Sequence, residues 1–274
     1  MNRSPYTENA GKTTIRGVPT DRHGNAQGNQ WDLAQDGGFL GYSIAVLHFY
    51  KFDFSKPTAA LKKKGFKVIR YENEPPPIDE FRRTLMQVSQ LWIISTQHRK
   101  LSSQHLDAIV EFFESGKGLY IWGDNTPFHA DANDLLGKLF NSSMEGNYIG
   151  RKVLTEAPNE KDRGFHPHLV TTGLNSLFEG ITIAAIKLTN DLRSVVNSSD
   201  GNCVTACYDH DGKRALIDGG FTRLYNQWDD AGSARFVCNA AAWLVNWERF
   251  SQGNDQGPSV SDEQNALRDL LTRR

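Results

Sequence analysis

Residues 91–125 read LWIISTQHRKLSSQHLDAIVEFFESGKGLYIWGDN, and they contain two apolar runs separated by a helical pattern. Both runs, LWIIST and GLYIWG, are almost continuously apolar, as strands of a parallel sheet are when helices cover both faces. Between them, Ser102 or Ser103 can cap a helix, and Gly116 is placed to end it. The apolar side chains of this helix repeat with helical spacing: Leu106, Ile109, Val110 and Phe113. The segment therefore predicts a strand–helix–strand unit of a parallel sheet.

The same alternation extends in both directions from this unit. Strands are predicted at residues 43–50 and 67–72, and as an antiparallel hairpin at residues 203–208 and 214–220 around the turn DHDG. Further helices are predicted after Ser55, from Ile78, around Leu135 and Leu136, and from Phe236 to Trp247. The pattern predicts a flavodoxin-like, doubly wound α/β fold. It has a mainly parallel sheet, a C-terminal antiparallel hairpin and helices on both faces.

Composition divides the chain of 274 residues into three parts. Residues 1–38 are rich in Gly, Asn, Gln and Thr and hold too few large apolar side chains to fold alone, so they are predicted to be a flexible polar arm. Residues 39–250 form the predicted α/β domain. Residues 251–274 are predicted to be a linker and a short tail helix, in which Ser261 and Gln264 can form a capping box.

Charge and cysteine content bound the function. The chain has 31 Lys and Arg against 32 Asp and Glu, a net charge of −1, so it offers no general attraction for nucleic acid or an anionic membrane. No apolar run approaches the ~20 residues that span a bilayer. Three cysteines do not make a disulfide framework and are typical of a reducing compartment. We therefore expect a cytoplasmic protein that binds neither nucleic acid nor a membrane.

Three segments partly match motifs for binding phosphate, zinc or calcium, but each lacks a residue or element that its motif requires. The segment AGKTT at residues 10–14 lacks the strand and the first glycine of a phosphate loop. Cys203 and Cys207 have no second pair to complete four zinc ligands. Asp209 and Asp211 begin like a calcium loop, but its twelfth position is Gly220. We expect no cofactor and no metal.

Candidate site residues follow from the sheet rather than from a motif. In an open parallel sheet, ligands bind beyond the carboxyl ends of the strands. His98 follows the strand at 91–96, Asp124 and Asn125 follow the strand at 118–123, and Asp218 ends the hairpin. Asp124, His98 and Asp218 are suited to acid–base chemistry or to a hard metal. Carboxylates at strand ends also act as helix caps, and for Asp124 this alternative is favoured.

The segment DGGFTRLYNQWDDAGSARF at residues 218–236 borders the same edge. Thr222 and Arg223 are candidate ligand-binding residues, because a guanidinium binds carboxylates and phosphates. Three aromatic residues of the segment are candidates for gripping a partner: Phe221, Tyr225 and Trp228. The alternative is structural, with Arg223 paired to Asp229 or Asp230 and the aromatic rings covering the edge of the sheet.

Three segments carry a resemblance to a known group of proteins: residues 118–140, HPHLVTTGL at 166–174 and ARFVCNAAAWLVNW at 234–247. Together they resemble the class I glutamine amidotransferase-like superfamily, especially its non-amidotransferase branches in trehalose-utilisation, gliding-motility and intraflagellar-transport proteins. The resemblance covers most of residues 43–247. Amidotransferases of this superfamily place a nucleophilic Cys in the turn after a strand, whereas this chain has Asp124 or Asn125 there. All three cysteines lie far downstream, which argues against glutamine hydrolysis.

Two functional hypotheses follow. The first is a non-catalytic amidotransferase-like module that binds a protein partner or a small polar ligand at the edge marked by Asp124 and Arg223. The second is a hydrolase or carbohydrate-active enzyme in which Asp124 acts with His98 or Asp218, with or without a divalent metal. His166 and His168 are expected to be loop residues, because they have no Cys partner.

Overall fold

The computed structural model describes residues 18–159 and 161–246, which form an α/β fold around one mixed sheet. The helices and strands follow one another in this order: β1 (Ser43–His48), α1 (Ser55–Lys63), β2 (Lys67–Glu72), α2 (Ile78–Gln87), β3 (Gln90–Ile94), α3 (Ser103–Glu114), β4 (Gly118–Trp122), α4 (Ala130–Phe140), β5 (Met144–Ile149), β6 (Val153–Leu154), β7 (Gly164–Phe165), β8 (Leu177–Phe178), β9 (Thr182–Ile186), β10 (Arg193–Asn197), β11 (Cys203–His210), β12 (Lys213–Asp218) and α5 (Ser233–Leu244). Short 3₁₀ helices span Leu169–Thr171 and Phe221–Leu224.

The main sheet has eight strands in the order β2-β1-β3-β4-β12-β11-β10-β7. Its first five strands are parallel, and β11, β10 and β7 extend it in antiparallel fashion. The chain crosses from one side of β1 to the other between β2 and β3. The topological switch point therefore lies between β1 and β3, and ligands of doubly wound sheets bind beyond the strand ends at such a point.

The strand–helix–strand unit has the predicted form. Ser102 caps α3, because its hydroxyl accepts the backbone N–H of His105, and Gly116 ends the helix with a φ of +82°. Strand β3 begins at Gln90 and stops at Ile94, so Ser95 and Thr96 lie beyond it. Every residue of β3 and β4 is buried, which agrees with their apolar sequences.

Helices cover both faces of the sheet, as predicted. On one face, α1 and α5 pack on a cluster that includes Trp92, Tyr120 and Trp122. On the other face, α2, α3 and α4 pack on a cluster that includes Ile93 and Ile121. The alternation of side chains along each strand divides the apolar residues between the two faces.

The segment between α4 and β11, where the sequence pattern weakens, contains strands that the sequence did not predict. Strand β5 pairs with β9 in a small antiparallel sheet, and β6 pairs with β8. A register shift interrupts β5 between Glu145 and Tyr148, and Gly146 there has a φ of +90°. The irregularity explains why the simple two-residue alternation of a strand is absent from the sequence.

Residues 18–38, assigned by composition to a flexible arm, lie against the domain through specific contacts. The guanidinium of Arg235 in α5 bonds the carboxylate of Asp32 and the carbonyls of Ala26 and Gly28. The part of the chain that packs on the α/β domain therefore begins before residue 39, the predicted domain boundary. Residues 1–17 of the predicted arm and the predicted tail at 251–274 lie outside the described residues, as does Trp247. Within the described ranges, no helix has the length and apolar character of a membrane span.

Candidate functional site

Asp124 lies two residues beyond the end of β4 and is buried, with 1% of its surface exposed. Its Oδ1 atom accepts hydrogen bonds from the hydroxyl of Thr182 at 2.6 Å and from the backbone N–H of Asn125 at 2.9 Å. Its Oδ2 atom accepts the backbone N–H of Thr222 at 3.2 Å. The carboxylate therefore joins the end of β4 to β9 and to the 3₁₀ helix after β12.

The environment of Asp124 favours its neutral form. The pKa of this carboxyl is raised to about 7, chiefly by burial, with a smaller contribution from the nearby charge of Asp218. The hydrogen bonds from Thr182, Asn125 and Thr222 act in the opposite direction, because they stabilise the carboxylate. A carboxyl with this pKa changes charge near neutral pH.

Asp218 and Arg223 form an ion pair behind Asp124. The Nη1 atom of Arg223 lies 3.2 Å from Oδ2 of Asp218, and both side chains are fully buried. Asp218 also accepts the Gly220 backbone N–H at 2.9 Å and the Thr205 hydroxyl at 3.1 Å. Burial raises the pKa of Asp218, although the Arg223 charge opposes this. Asp218, which was a candidate proton carrier in the sequence analysis, is therefore held by partners inside the protein.

The suggested pairing of Arg223 with Asp229 or Asp230 is wrong. The 3₁₀ helix Phe221–Leu224 holds Arg223 fully buried, where it pairs with Asp218. The two acids pair elsewhere, Asp229 with Lys56 and Asp230 with Arg22. Spacing along the chain favoured the nearer acids, whereas the turn after β12 brings Arg223 back to the strand end.

The other predicted site residues divide between the network and the surface. Thr222 joins the network, because its N–H binds Asp124 and its hydroxyl accepts the Ile181 N–H at 2.8 Å. Asn125 is partly exposed and donates from its side chain to Oδ1 of Asn147 at 2.7 Å. His98 lies in an exposed turn after β3. In the part of the chain that the structure describes, no hydrogen bond links His98 to Asp124 or Asp218, so a His98-based acid–base set is not assembled.

The three cysteines are buried and are poor nucleophiles. Burial raises the pKa of Cys203 and of Cys238 to about 12, and it raises that of Cys207 as well. The thiolate form that attacks a substrate is therefore strongly disfavoured.

His168 begins a 3₁₀ helix, where its Nδ1 accepts the Val170 N–H, and burial lowers its pKa to about 4.

Two of the three aromatic candidates, Phe221 and Tyr225, belong to a group of rings at the carboxyl edge that sequence reasoning found only in part, whereas the third, Trp228, is buried. We call this group the aromatic platform: Tyr50, Phe52, Phe128 and Tyr225, packed around the buried Phe221. The ring of Tyr50 lies 4.9 Å from that of Phe221, and the ring of Phe52 lies 4.5 Å from that of Tyr225. The sequence signal was the aromatic run FYKFDF at residues 49–54, directly after β1.

The aromatic platform lies next to the polar network and over the switch point. Tyr50 and Phe52 follow β1, and the N–H of Phe49 binds the carbonyl of Ile94 at the end of β3. The pKa of Tyr225 is raised to about 12, chiefly by burial, with a smaller contribution from the charge of Asp124. Thr222 connects the two residues, because its backbone N–H binds Asp124 and its carbonyl accepts the N–H of Tyr225. Tyr225 is the most exposed ring of the platform, at 36%.

Among residues 18–159 and 161–246, no group of three or more His, Cys, Asp or Glu side chains is placed to hold a metal ion. A surface cavity of about 410 Å³ lies elsewhere, between residues 21–32, α1 and the start of α5, and the charged side chains Asp32, Lys64 and Arg235 on its wall are already paired.

Comparison with known proteins supports the fold. No protein-family model and no curated protein sequence matches the chain. A GMP synthase subunit from Thermoplasma acidophilum has a similar structure, with a TM-score of 0.52 and 11% identity over 77% of this chain and 97% of that chain. The two chains share an α/β fold with a mainly parallel central sheet.

Two further solved structures have lower scores. A ThuA-like protein from Parabacteroides merdae has a TM-score of 0.47 and 11% identity over 80% of this chain and 94% of that chain. A glutamine amidotransferase from Thermotoga maritima has a TM-score of 0.43 and 11% identity over 78% of this chain and 99% of that chain. At such identities the likeness concerns the fold alone.

Proposed function

We propose that this chain is a non-catalytic, amidotransferase-like binding module, which binds a protein or a small polar ligand at the carboxyl edge of its sheet. The observation that carries the proposal is that the charged side chains of this edge are held by internal partners. Asp124 accepts three hydrogen bonds, and Asp218 and Arg223 bind each other without exposure to water. Such groups stabilise the edge, and moving a proton to a substrate would require breaking these contacts.

The binding surface we propose is the aromatic platform with the neighbouring amides. Partly exposed aromatic rings supply a large contact area at low cost in side-chain entropy, and they dominate many binding sites. Asn125 and Asn147 lie beside the loop that carries Phe128 and offer hydrogen-bond donors and acceptors. The location at the switch point of the sheet is the usual one for ligands of this architecture.

Thermal unfolding of the full chain tests this proposal against a panel of amino acids, sugars, nucleotides and metal ions. A ligand at a hundred times its Kd adds about 2.7 kcal/mol, which raises the unfolding midpoint by roughly 5 to 10 °C. Tyr225→Ala should abolish the shift. Met86→Ala is the matched control, because Met86 is 73% exposed near the end of α2, at the opposite edge of the sheet. A shift that survives Tyr225→Ala would refute the proposed surface.

A second candidate is a hydrolase or carbohydrate-active enzyme that uses Asp124, and one observation favours it. The pKa of Asp124 is raised to about 7, which suits a general acid or base at neutral pH. In this candidate, the second residue that carries a proton is Asp218 rather than His98. Assays with ester, glycoside and acetylated-sugar substrates, with and without Mg²⁺ or Zn²⁺, test this candidate. A turnover rate that changes near pH 7 and is lost in Asp124→Asn would show that the chain is an enzyme rather than a non-catalytic binding module.

A further inference from the structure

We infer that Asp21 and Arg22 form a latch, which holds the loop at residues 226–231 in a strained backbone conformation and thereby fixes the position of Tyr225 on the aromatic platform. The latch couples the platform to the segment at residues 18–38, which packs on the domain away from the carboxyl edge. The inference rests on the proposed function for the role of Tyr225, whereas the strain and the contacts are features of the fold alone.

The first observation is the backbone of the loop that follows Tyr225. Gln227 has a φ of +52° and Ala231 has a φ of +51°, so both lie in the left-handed region. A residue with a Cβ atom pays for this conformation, and Gln and Ala lack the short polar side chain that makes it easier for Asn and Asp. Such conformations persist only where the surrounding contacts impose them. The loop therefore needs external contacts that hold it.

The second observation is that residues 21 and 22 contact both strained positions. Oδ2 of Asp21 accepts the backbone N–H of Ala231 at 3.0 Å, and Nη2 of Arg22 donates to Oε1 of Gln227 at 3.1 Å. The carbonyl of Ala231 accepts the N–H of Phe178 at 2.9 Å, so both backbone polar groups of Ala231 are bound. These contacts fix the chain direction at the positions where it is strained.

Asp21 is itself held in place by neighbours outside the loop. Its Oδ1 atom accepts the N–H of His23 at 2.8 Å and that of Asn25 at 2.9 Å. Asn25 is 3% exposed and donates to the hydroxyl of Ser176 at 2.8 Å, which anchors the turn on the domain. An acceptor that is already fixed loses little conformational entropy when it binds the loop. The carboxylate of Asp21 is therefore a rigid support for Ala231.

The connection from the loop to the aromatic platform is short. The N–H groups of Tyr225 and Asn226 both bond the carbonyl of Thr222, at 3.3 and 2.8 Å. Trp228 anchors the middle of the loop, because it is only 5% exposed, whereas Tyr225 at its start is 36% exposed. When the latch opens, relaxation of the strained residues moves the exposed end of the loop more easily than the buried part. Tyr225 then leaves its place on the platform.

Amide hydrogen exchange in the full chain, followed by NMR, tests the latch. The readout is the amide of Asn226, because substitution of Asp21 does not alter its own hydrogen-bond acceptor. Asp21→Ala should make this amide exchange about tenfold faster or more, because the loop loses a hydrogen bond to a charged group and opens more often. Asp36→Ala is the matched control, because Asp36 lies in the same segment but pairs with Lys63 and Lys64. It should leave the Asn226 rate unchanged.

The substitution Ala231→Gly separates a latch that holds strain from ordinary support. Glycine adopts a positive φ without strain, so a loop with Ala231→Gly keeps its conformation without help from Asp21. The double variant Asp21→Ala with Ala231→Gly should therefore return the Asn226 rate most of the way to the parent value. The amide of Ile93 in the buried strand β3 reports global unfolding and shows whether each variant is folded.

The outcomes separate the latch from the proposed function, because amide exchange needs no ligand. An Asn226 rate that Asp21→Ala leaves unchanged would overturn the latch, and so would an equal acceleration with and without Ala231→Gly. If a ligand gives a Tyr225-dependent shift of the unfolding midpoint while the Asn226 rate does not respond, the binding module stands and the latch alone is refuted. An acceleration that Ala231→Gly reverses, with no ligand found, supports the latch and counts against the proposed binding surface.

Discussion

Arg223 and Asp218 form an ion pair that is completely withdrawn from water, with Nη1 of Arg223 3.2 Å from Oδ2 of Asp218. Arg223 also donates from Nη2 to the carbonyl of Glu179 at 3.1 Å, and its guanidinium lies 5.2 Å from the ring centre of Phe236. One side chain thus joins β12, the 3₁₀ helix, the loop before β9 and α5. This arrangement makes Arg223 a structural residue of the edge rather than a free anion receptor.

Removing only one charge of this pair should destabilise the protein strongly. Arg223→Met leaves the Asp218 carboxyl buried without its partner, and the expected loss in free energy of unfolding is about 3 to 5 kcal/mol. The double variant Arg223→Met with Asp218→Asn should lose less than the sum of the two single losses, because neither charge remains. Urea unfolding measures all three. Additive losses would show that the two side chains are not coupled.

Asp124 should make stability depend on pH in a defined direction. Its folded-state pKa is raised from 3.8 to about 7, so the folded protein binds the proton more tightly than the unfolded chain does. The associated stability is fully present below pH 4 and is lost as pH rises toward 7, by about 4 kcal/mol in total for this group. Urea unfolding from pH 4 to 8 measures it.

Asp124→Asn supplies the reference for that measurement. His48 and His168 have pKa values lowered to about 4 by burial, so their contribution has the opposite sign and falls as pH drops from about 6.5 to 4. Subtracting the profile of Asp124→Asn from that of the parent removes the histidine contribution and isolates Asp124. A flat difference between the two profiles would contradict the raised pKa.

The cysteines should be unreactive until the protein unfolds. Cys203, Cys207 and Cys238 are at most 8% exposed, and their thiol pKa values are raised by burial. A thiol reagent at pH 8 should modify none of them in the native protein and all three in concentrated guanidinium chloride. Mass spectrometry counts the modified thiols. A thiol that reacts rapidly in the native protein would revive a nucleophilic role.

Gly118 and Gly137 should respond in opposite ways to alanine. A Cβ atom at Gly118, the first residue of β4, would lie 2.1 Å from the carbonyl oxygen of Leu244, so α5 would have to move away from the sheet. Gly137 lies within α4, and a Cβ atom there would meet no atom within 4 Å beyond its chain neighbours and the backbone of its own helix. Gly118→Ala should lower the unfolding midpoint, and Gly137→Ala should add about 0.5 to 1 kcal/mol. Equal effects would contradict the close approach of α5 to β4.

The parallel part of the fold was predictable because its signals are local. Ser102 and Gly116 delimit α3 within one stretch of sequence, and the buried strands β3 and β4 are continuous apolar runs. Strands β5 and β9 were not predictable in this way. Their partners are separated by more than thirty residues, and the irregularity at Gly146 removes the alternation that identifies a strand.

The candidate site was predictable only in part. The rule that parallel strands end at one edge brought Asp124 and Asp218 together correctly, because it concerns backbone position. It said nothing about where side chains point, so it grouped His98 with them although His98 is exposed. The aromatic platform was predicted only in part. Phe221 and Tyr225 were candidates, whereas Tyr50 and Phe128 were not, because they come from separate loops that only the fold brings together.

The sequence by itself determined the doubly wound sheet with helices on both faces, since the spacing of apolar residues sets which surfaces must be buried. Only the tertiary structure decided what the polar residues at the sheet edge do. Asp124 meets Thr182 and Thr222, and Arg223 meets Asp218 rather than the acids that follow it in the chain. A buried polar group must find a hydrogen-bond partner wherever the fold provides one, and that partner is set by how distant segments pack.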